Sequence, residues 1–155
     1  MKILAVDANN HKHAFELKTW RQQFVFPFAR ANPSPTTKNP VVDIVIDEEL
    51  GSEAFAYTLS SGAKGIIHIE QVLEYNQDPA YMRNLLLYKL TLEAQERLQQ
   101  SPLSKREIIR RLGTSPAQFY RLLDSTNYRK SVDKILALLH VLDCEVDLVV
   151  RPRTA

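Results

Sequence analysis

The chain has 155 residues, of which 45% are hydrophobic and 25% are charged, so it can form the core of one domain or of two small ones. No run of about 18 uncharged apolar residues occurs, and the N-terminus reaches Asp7 before the apolar core of a signal peptide could form, so we expect neither membrane association nor secretion. The single cysteine, Cys144, excludes an internal disulfide. These features predict a cytoplasmic protein.

The formal net charge of +2 is divided unevenly along the chain. Residues 1–78 contain 7 Lys/Arg and 10 Asp/Glu, whereas residues 79–155 contain 13 and 8. The basic excess lies within residues 101–134, which contain 8 basic and 3 acidic side chains. Such a concentration suits the phosphates of a nucleic acid, although a solvated basic surface without a partner would have the same composition.

The first half has the pattern of a small β-rich domain. Short apolar or alternating runs are KILAV, HAFELKT, QFVFPF and VVDIVID, and EAFAYTLSSGAKGIIHIE resembles two strands around a Ser-Ser-Gly turn. Residues 29–40 contain three prolines and no apolar period, which indicates an exposed loop. We therefore predict a mainly antiparallel β accessory domain over residues 1–79.

The second half has the pattern of helices. Asp78 is a suitable N-cap and Pro79 a suitable first residue for a helix that continues without Gly or Pro to about residue 100. This long helix would connect the first domain to a helical domain over residues 80–155. The predicted fold class is therefore α+β.

Two short helices are predicted on either side of Gly113. Ser104 and Glu107 have the spacing of a capping box, and Gly113 can adopt the left-handed conformation that ends a helix. Ser115 to Gln118 repeats the capping pattern, with proline at the first helical position, so a second helix is expected at about residues 115–124. Two helices joined by a tight Gly-containing turn are the geometry of the DNA-binding helix-turn-helix, whose second helix enters the major groove.

Residues 86–151 resemble the helix-turn-helix domain of Cro and phage-repressor type regulators, the XRE family, most clearly over residues 104–123 and 131–150. The likeness is to the branch seen in bacterial antitoxins, where a last helix and then a strand follow the motif. It implies a sequence-specific transcriptional regulator that binds double-stranded DNA. The chain departs from the usual family pattern at Lys105, Ile109, Thr114 and Ser125.

Helical periodicity separates the two faces of the second helix. Phe119, Leu122 and Leu123 share an apolar face. Ala117, Gln118, Tyr120 and Arg121 face away from it, near the helix N-terminus, where a helix inserted in the groove meets base edges. The predicted DNA-binding residues are Ser104, Lys105, Arg106, Ser115, Ala117, Gln118, Tyr120, Arg121, Arg129 and Lys130.

A last helix after Ser131 and a C-terminal strand complete the predicted domain. Val146, Leu148 and Val150 alternate with other side chains, which is the period of a strand. The partner of this strand could be the first-half sheet or the same strand of a second subunit, and the resemblance favours the second. It therefore implies a homodimer.

Enzymatic activity is the first alternative. Two sets of side chains could bind a metal: His11 and His13 with Asp7, or His68 with Glu70. In neither set does a third ligand stand at a spacing that is recognised for metal sites. No Gly-rich phosphate loop or nucleophile elbow is present in the sequence. We therefore predict no enzyme activity, no metal and no cofactor.

The other alternative is an antitoxin-like protein whose first domain binds a protein or a small ligand, with DNA binding used for autoregulation. Phe24, Phe26 and Phe28 lie close together in the sequence and could contact such a partner. A sheet core is the commoner use of aromatic residues with this spacing. The sequence does not name the ligand.

Overall fold

The computed structural model of the protein describes residues 1–153. The strands are β1 (Ile3–Asn9), β2 (Ala14–Thr19), β3 (Gln23–Pro27), β4 (Val41–Ile46), β5 (Ala54–Leu59) and β6 (Lys64–His68). The helices are α1 (Ile69–Tyr75), α2 (Pro79–Gln100), α3 (Lys105–Leu112), α4 (Pro116–Leu123) and α5 (Val132–Val141). The fold is α+β, as predicted. Within the described residues, no helix combines the length and apolar character that crossing a membrane requires.

The chain divides into two compact units, Met1–Met82 and a second that begins at Arg83. The division lies in the first turns of α2, close to the boundary predicted at residue 80. The first unit contains the six strands and α1, and the elements of the second unit within residues 83–153 are helices.

The first unit contains two three-stranded antiparallel sheets, with the orders β1-β2-β3 and β4-β5-β6. Because side chains alternate along a strand, one face of each sheet is apolar and buried. Phe15 on β2 is fully buried, and its ring lies 5.1 Å from the rings of both Phe55 and Tyr57 on β5. The two sheets therefore share one aromatic core, and the expectation of an antiparallel β-rich first half is confirmed.

Phe24, Phe26 and Phe28 belong to this core. Each is at most 5% exposed, and all three pack with the buried side chains of both sheets. The alternative in which these rings contact a partner is therefore wrong, because Phe24 and Phe26 on β3 and Phe28, just after it, are all buried in this core.

The sequence pattern does not predict α1, which follows β6 directly. His68 is its N-cap: the Nδ1 atom accepts a hydrogen bond from the Glu70 amide at 3.2 Å, and the Gln71 side chain accepts one from the His68 amide at 2.9 Å. His68 thus stabilises a helix start. Among residues 1–153, no group of three or more His, Cys, Asp or Glu side chains is arranged to hold a metal ion.

The predicted C-terminal strand is not formed in the single chain. Residues 144–153 are assigned neither helix nor strand, and Leu148 and Val150 are 79% and 84% exposed. A strand requires a neighbouring strand that satisfies its backbone hydrogen bonds, and this segment has none assigned. The expectation that the second domain ends in a strand is therefore wrong for the isolated chain.

Asp78 holds the start of α2 as predicted. One carboxylate oxygen accepts a hydrogen bond from the Tyr81 amide at 3.1 Å, and the other pairs with the guanidinium of Arg21. The residue is only 3% exposed. A buried carboxylate depends on such partners, because removing one leaves a charge that water cannot reach.

We expect Arg21→Met to lower the free energy of unfolding by about 1–3 kcal/mol, because it leaves the Asp78 carboxylate without its cation. Lys18→Met is the matched control, because Lys18 is exposed on β2 and forms no salt bridge within the described residues. This control should change the free energy by less than about 0.5 kcal/mol. Urea unfolding followed by circular dichroism measures both, and equal losses would contradict the role of the ion pair.

Candidate nucleic-acid interface

The helix-turn-helix segment is built by local hydrogen bonds at the two helix starts. The Ser104 hydroxyl accepts the Glu107 amide at 3.1 Å, and the Ser115 hydroxyl accepts the Gln118 amide at 3.2 Å. Between the helices, Gly113 has a φ of 66°, the left-handed conformation that suits glycine. These are the caps and the turn that the sequence predicts.

The second half of the first capping box is replaced by an ion-pair cluster. The Glu107 carboxylate accepts hydrogen bonds from Nε of Arg110 and Nε of Arg111, both at 3.0 Å. These bonds from Arg110 and Arg111 lower the pKa of Glu107 to about 2. The carboxylate is therefore charged at neutral pH, and it partly neutralises two of the arginines that make this segment basic.

The helix α4 presents two different faces. Phe119 and Leu122 are buried and pack with Ile108 of α3 and Ile135 of α5 in the core of the second unit. The exposed side chains are Pro116, Ala117, Gln118, Tyr120 and Arg121. All of them except Pro116 belong to the predicted DNA-binding set.

An open groove of about 930 Å³ lies alongside α4. Polar and basic side chains from the start of α4, from the following loop and from the start of α5 line it. They include Ser115, Gln118, Arg121, Arg129, Ser131 and Lys134. Residues from the starts of both α4 and α5 therefore line one groove, and the dipole of a helix favours an anion near its N-terminal end.

The side chains of Gln118, Arg121 and Arg129 make no hydrogen bond or salt bridge within the part of the chain that the structure describes. Their donors are therefore available to a ligand. Lys134 lines the same groove and also forms no salt bridge there. Lys134 is not among the residues predicted from the sequence, although its position three residues after the helix cap Ser131 was a signal that could have identified it.

The remaining predicted residues lie at the start of α3. Ser104, Lys105 and Arg106 are all exposed and do not line the groove. The Lys105 ammonium lies 5.9 Å from the centre of the Tyr120 ring, which is within the range of a cation–π contact. This contact connects the start of α3 with the exposed face of α4.

Lys130 has an internal role that the sequence does not predict. It is only 7% exposed, and its ammonium donates hydrogen bonds to the carbonyls of Leu122 and Asp124, both at 2.9 Å. Burial lowers its pKa, while the Asp124 charge opposes that shift. Its placement among the exposed DNA-binding residues is thus a correction, since a lysine at the C-terminal end of a helix can bond the last carbonyls.

Two further side chains hold the same end of α4. Asn127 donates to the carbonyl of Arg121 at 3.1 Å, and Gln95 on α2 donates to the carbonyl of Leu123 at 2.7 Å. With Lys130, these residues satisfy every carbonyl from residue 121 to residue 124. Both ends of α4 are therefore held by side chains, which restrains the orientation of its exposed face.

Comparison of the chain with known proteins finds no matching family model, no similar curated protein and no similar solved structure.

We expect Lys130→Met to lower the free energy of unfolding of the second unit by about 1–3 kcal/mol, because the buried carbonyl of Leu122 and the partly buried carbonyl of Asp124 lose their donor. Lys134→Met removes the same charge from an exposed position and should change the free energy of unfolding by less than about 0.5 kcal/mol. Amide hydrogen exchange of α4 and α5 measures the local effect. Equal protection in the two variants would argue against the structural role of Lys130.

Proposed function

We propose that the second unit binds double-stranded DNA with α4 in the major groove, and that the protein is a sequence-specific transcriptional regulator. The observation that carries this proposal is the groove beside α4. Gln118, Arg121 and Arg129 offer unpaired donors to it, and residues at the starts of α4 and α5 line it, so that the helix dipoles add to the attraction for an anion. Unpaired cations and helix N-termini together favour phosphate groups.

The proposed roles follow from side-chain chemistry. The Gln118 amide can pair with N6 and N7 of adenine, and Arg121 can bond O6 and N7 of guanine or a phosphate. Ala117 and Tyr120 can contact a thymine methyl group. The cations at the two sides of α4 would contact the phosphates that position the helix.

The resemblance of residues 86–151 to XRE-family regulators supports the same proposal, because that family places the corresponding helix in the major groove. The capped and packed helix start at Ser115 is consistent with this arrangement. The antitoxin-like alternative receives no comparable support, since Phe24, Phe26 and Phe28 are buried.

The first expected result concerns salt. If about four phosphates are neutralised, the logarithm of the binding constant should fall with the logarithm of salt concentration with a slope near −3.6. Arg121→Gln should reduce the size of that slope by about 0.9 if Arg121 contacts a phosphate. Fluorescence anisotropy with a short duplex of mixed sequence, between about 50 and 200 mM salt, measures it.

Arg97→Gln is the matched control for this titration. Arg97 is exposed on α2 and lies 3.8 Å from Glu93, so its loss removes the same charge from outside the groove. Its slope should equal that of the unaltered protein. Binding that does not depend on salt would contradict the proposed interface.

The second expected result concerns sequence preference. Selection from a random pool of duplexes would first supply a preferred sequence. Gln118→Ala should then weaken binding to that sequence by about 1–3 kcal/mol and change binding to a mixed-sequence duplex much less, because only the base contact is lost. Equal weakening on both duplexes would show that Gln118 contacts the backbone and does not read a base.

A further inference from the structure

The outer face of the sheet β4-β5-β6 carries a row of apolar side chains. Val45 pairs with Ala56, and Ala56 pairs with Ile66, so these three residues, the apolar row, lie side by side across the sheet. Val45 and Ile66 are 55% and 62% exposed, because side chains alternate along a strand and these point away from the aromatic core. Adjoining apolar side chains that face solvent are typical of a surface that binds a partner.

The sheet β1-β2-β3 is an internal reference for this row. The two sheets have the same strand order, a matching register and a bulge at the same place in the first strand. The row of β1-β2-β3 that matches the apolar row consists of Asp7, Glu16 and Val25. Two of these three side chains are acidic, so the architecture does not require apolar residues there. The apolar row therefore indicates a contact that only the second sheet makes.

Charged side chains lie beside the apolar row. The next row along the strands contains Asp43 on β4, Thr58 on β5 and Lys64 on β6. Asp43 and Lys64 are exposed and lie two strands apart, or about 10 Å. Neither forms a salt bridge within residues 1–153. An acid at one edge of the face and a base at the other suit a partner that carries the reverse order.

A second copy of the same sheet presents that reverse order. When two copies face each other about a two-fold axis parallel to β5, β4 of one copy lies opposite β6 of the other. Asp43 then faces Lys64 of the partner copy, and the symmetry repeats this pair. Val45 likewise faces Ile66 of the partner copy. The small side chains of Ala56 and Thr58 lie on the axis, where each meets its own counterpart.

We propose that the outer face of β4-β5-β6 is an interface between two copies of this chain, in which the sheets pack face to face with their strands aligned. The two apolar rows form its centre, and two Asp43–Lys64 pairs lie beside them. The face belongs to the first unit, outside the residues that resemble XRE-family regulators. Neither that resemblance nor DNA binding therefore implies it.

The charges also select the direction of the axis. An axis that runs across the strands leaves each strand opposite the same strand of the partner copy. Because Asp47 and His68 lie on either side of Ala54, Asp43 would then face Asp47, and Lys64 would face His68. Two carboxylates oppose each other in that arrangement, and like charges at an interface are unfavourable.

The interface should be weak. Three short strands offer each copy less than the roughly 800 Å² that one partner contributes to a standard interface. We therefore expect a dimer that dissociates on dilution. Sedimentation equilibrium of the full chain without DNA, over a range of concentrations, measures its dissociation constant.

Ile66→Glu tests the apolar row. It places a carboxylate against Val45 of the partner copy and should raise the dissociation constant by about 100-fold or more. Because Ile66 is exposed, the fold should be retained, which circular dichroism checks. Val25→Glu is the matched control, because Val25 occupies the same place on the other sheet, and it should leave the constant unchanged.

A charge reversal tests the direction of the axis. Lys64→Glu places two carboxylates opposite each other twice and should raise the dissociation constant by about tenfold. Adding Asp43→Lys restores the opposite charges and should return the constant close to its original value. Lys18→Glu is the matched control, because Lys18 is exposed on the other sheet, and it should have no effect.

A monomer at every concentration would overturn the proposal. A dimer that Ile66→Glu and Val25→Glu weaken equally, or that neither weakens, would also overturn it, because the interface would then lie elsewhere. If adding Asp43→Lys does not recover the dimer, the axis parallel to β5 is wrong. All these measurements are made without DNA, so their outcome does not depend on the proposed function.

Discussion

The arrangement of the second unit depends on how the C-terminal end of α4 is held. The last carbonyls of a helix have no partner inside the helix and must bond to side chains, water or a following turn. Here the donors come from Lys130, Asn127 and Gln95, which lie in the loop before α5 and on α2. These bonds connect α4 to both neighbouring elements, so the groove and the exposed face of α4 keep a defined geometry.

Several of the basic side chains in residues 101–134 are used inside the second unit. Lys130 is buried and used internally, and Arg110 and Arg111 are paired with Glu107. Within residues 101–134, the exposed cations without a salt bridge lie at the groove and at the start of α3. A charge count therefore overstates the number of basic side chains available to a ligand, because those that are available are gathered around α4.

The C-terminal segment shows a related principle for the backbone. The amides and carbonyls of a strand need the partners that a neighbouring strand supplies, and residues 144–153 have no such neighbour in the single chain.

The sequence by itself determined the features that depend on neighbouring residues. The strands follow from the two-residue period, and the starts of α2, α3 and α4 follow from Asp78, Ser104 and Ser115 because capping involves only the next few amides. The exposed face of α4 was likewise predictable from helical periodicity. Only the tertiary structure decided where Phe26 and Lys130 point and that the terminal segment stays unpaired, because burial and strand pairing depend on residues distant in the sequence. An aromatic strand or a lysine beside a helix carries the same local pattern whether it faces solvent or the core, and the contacts of the folded chain decide between them.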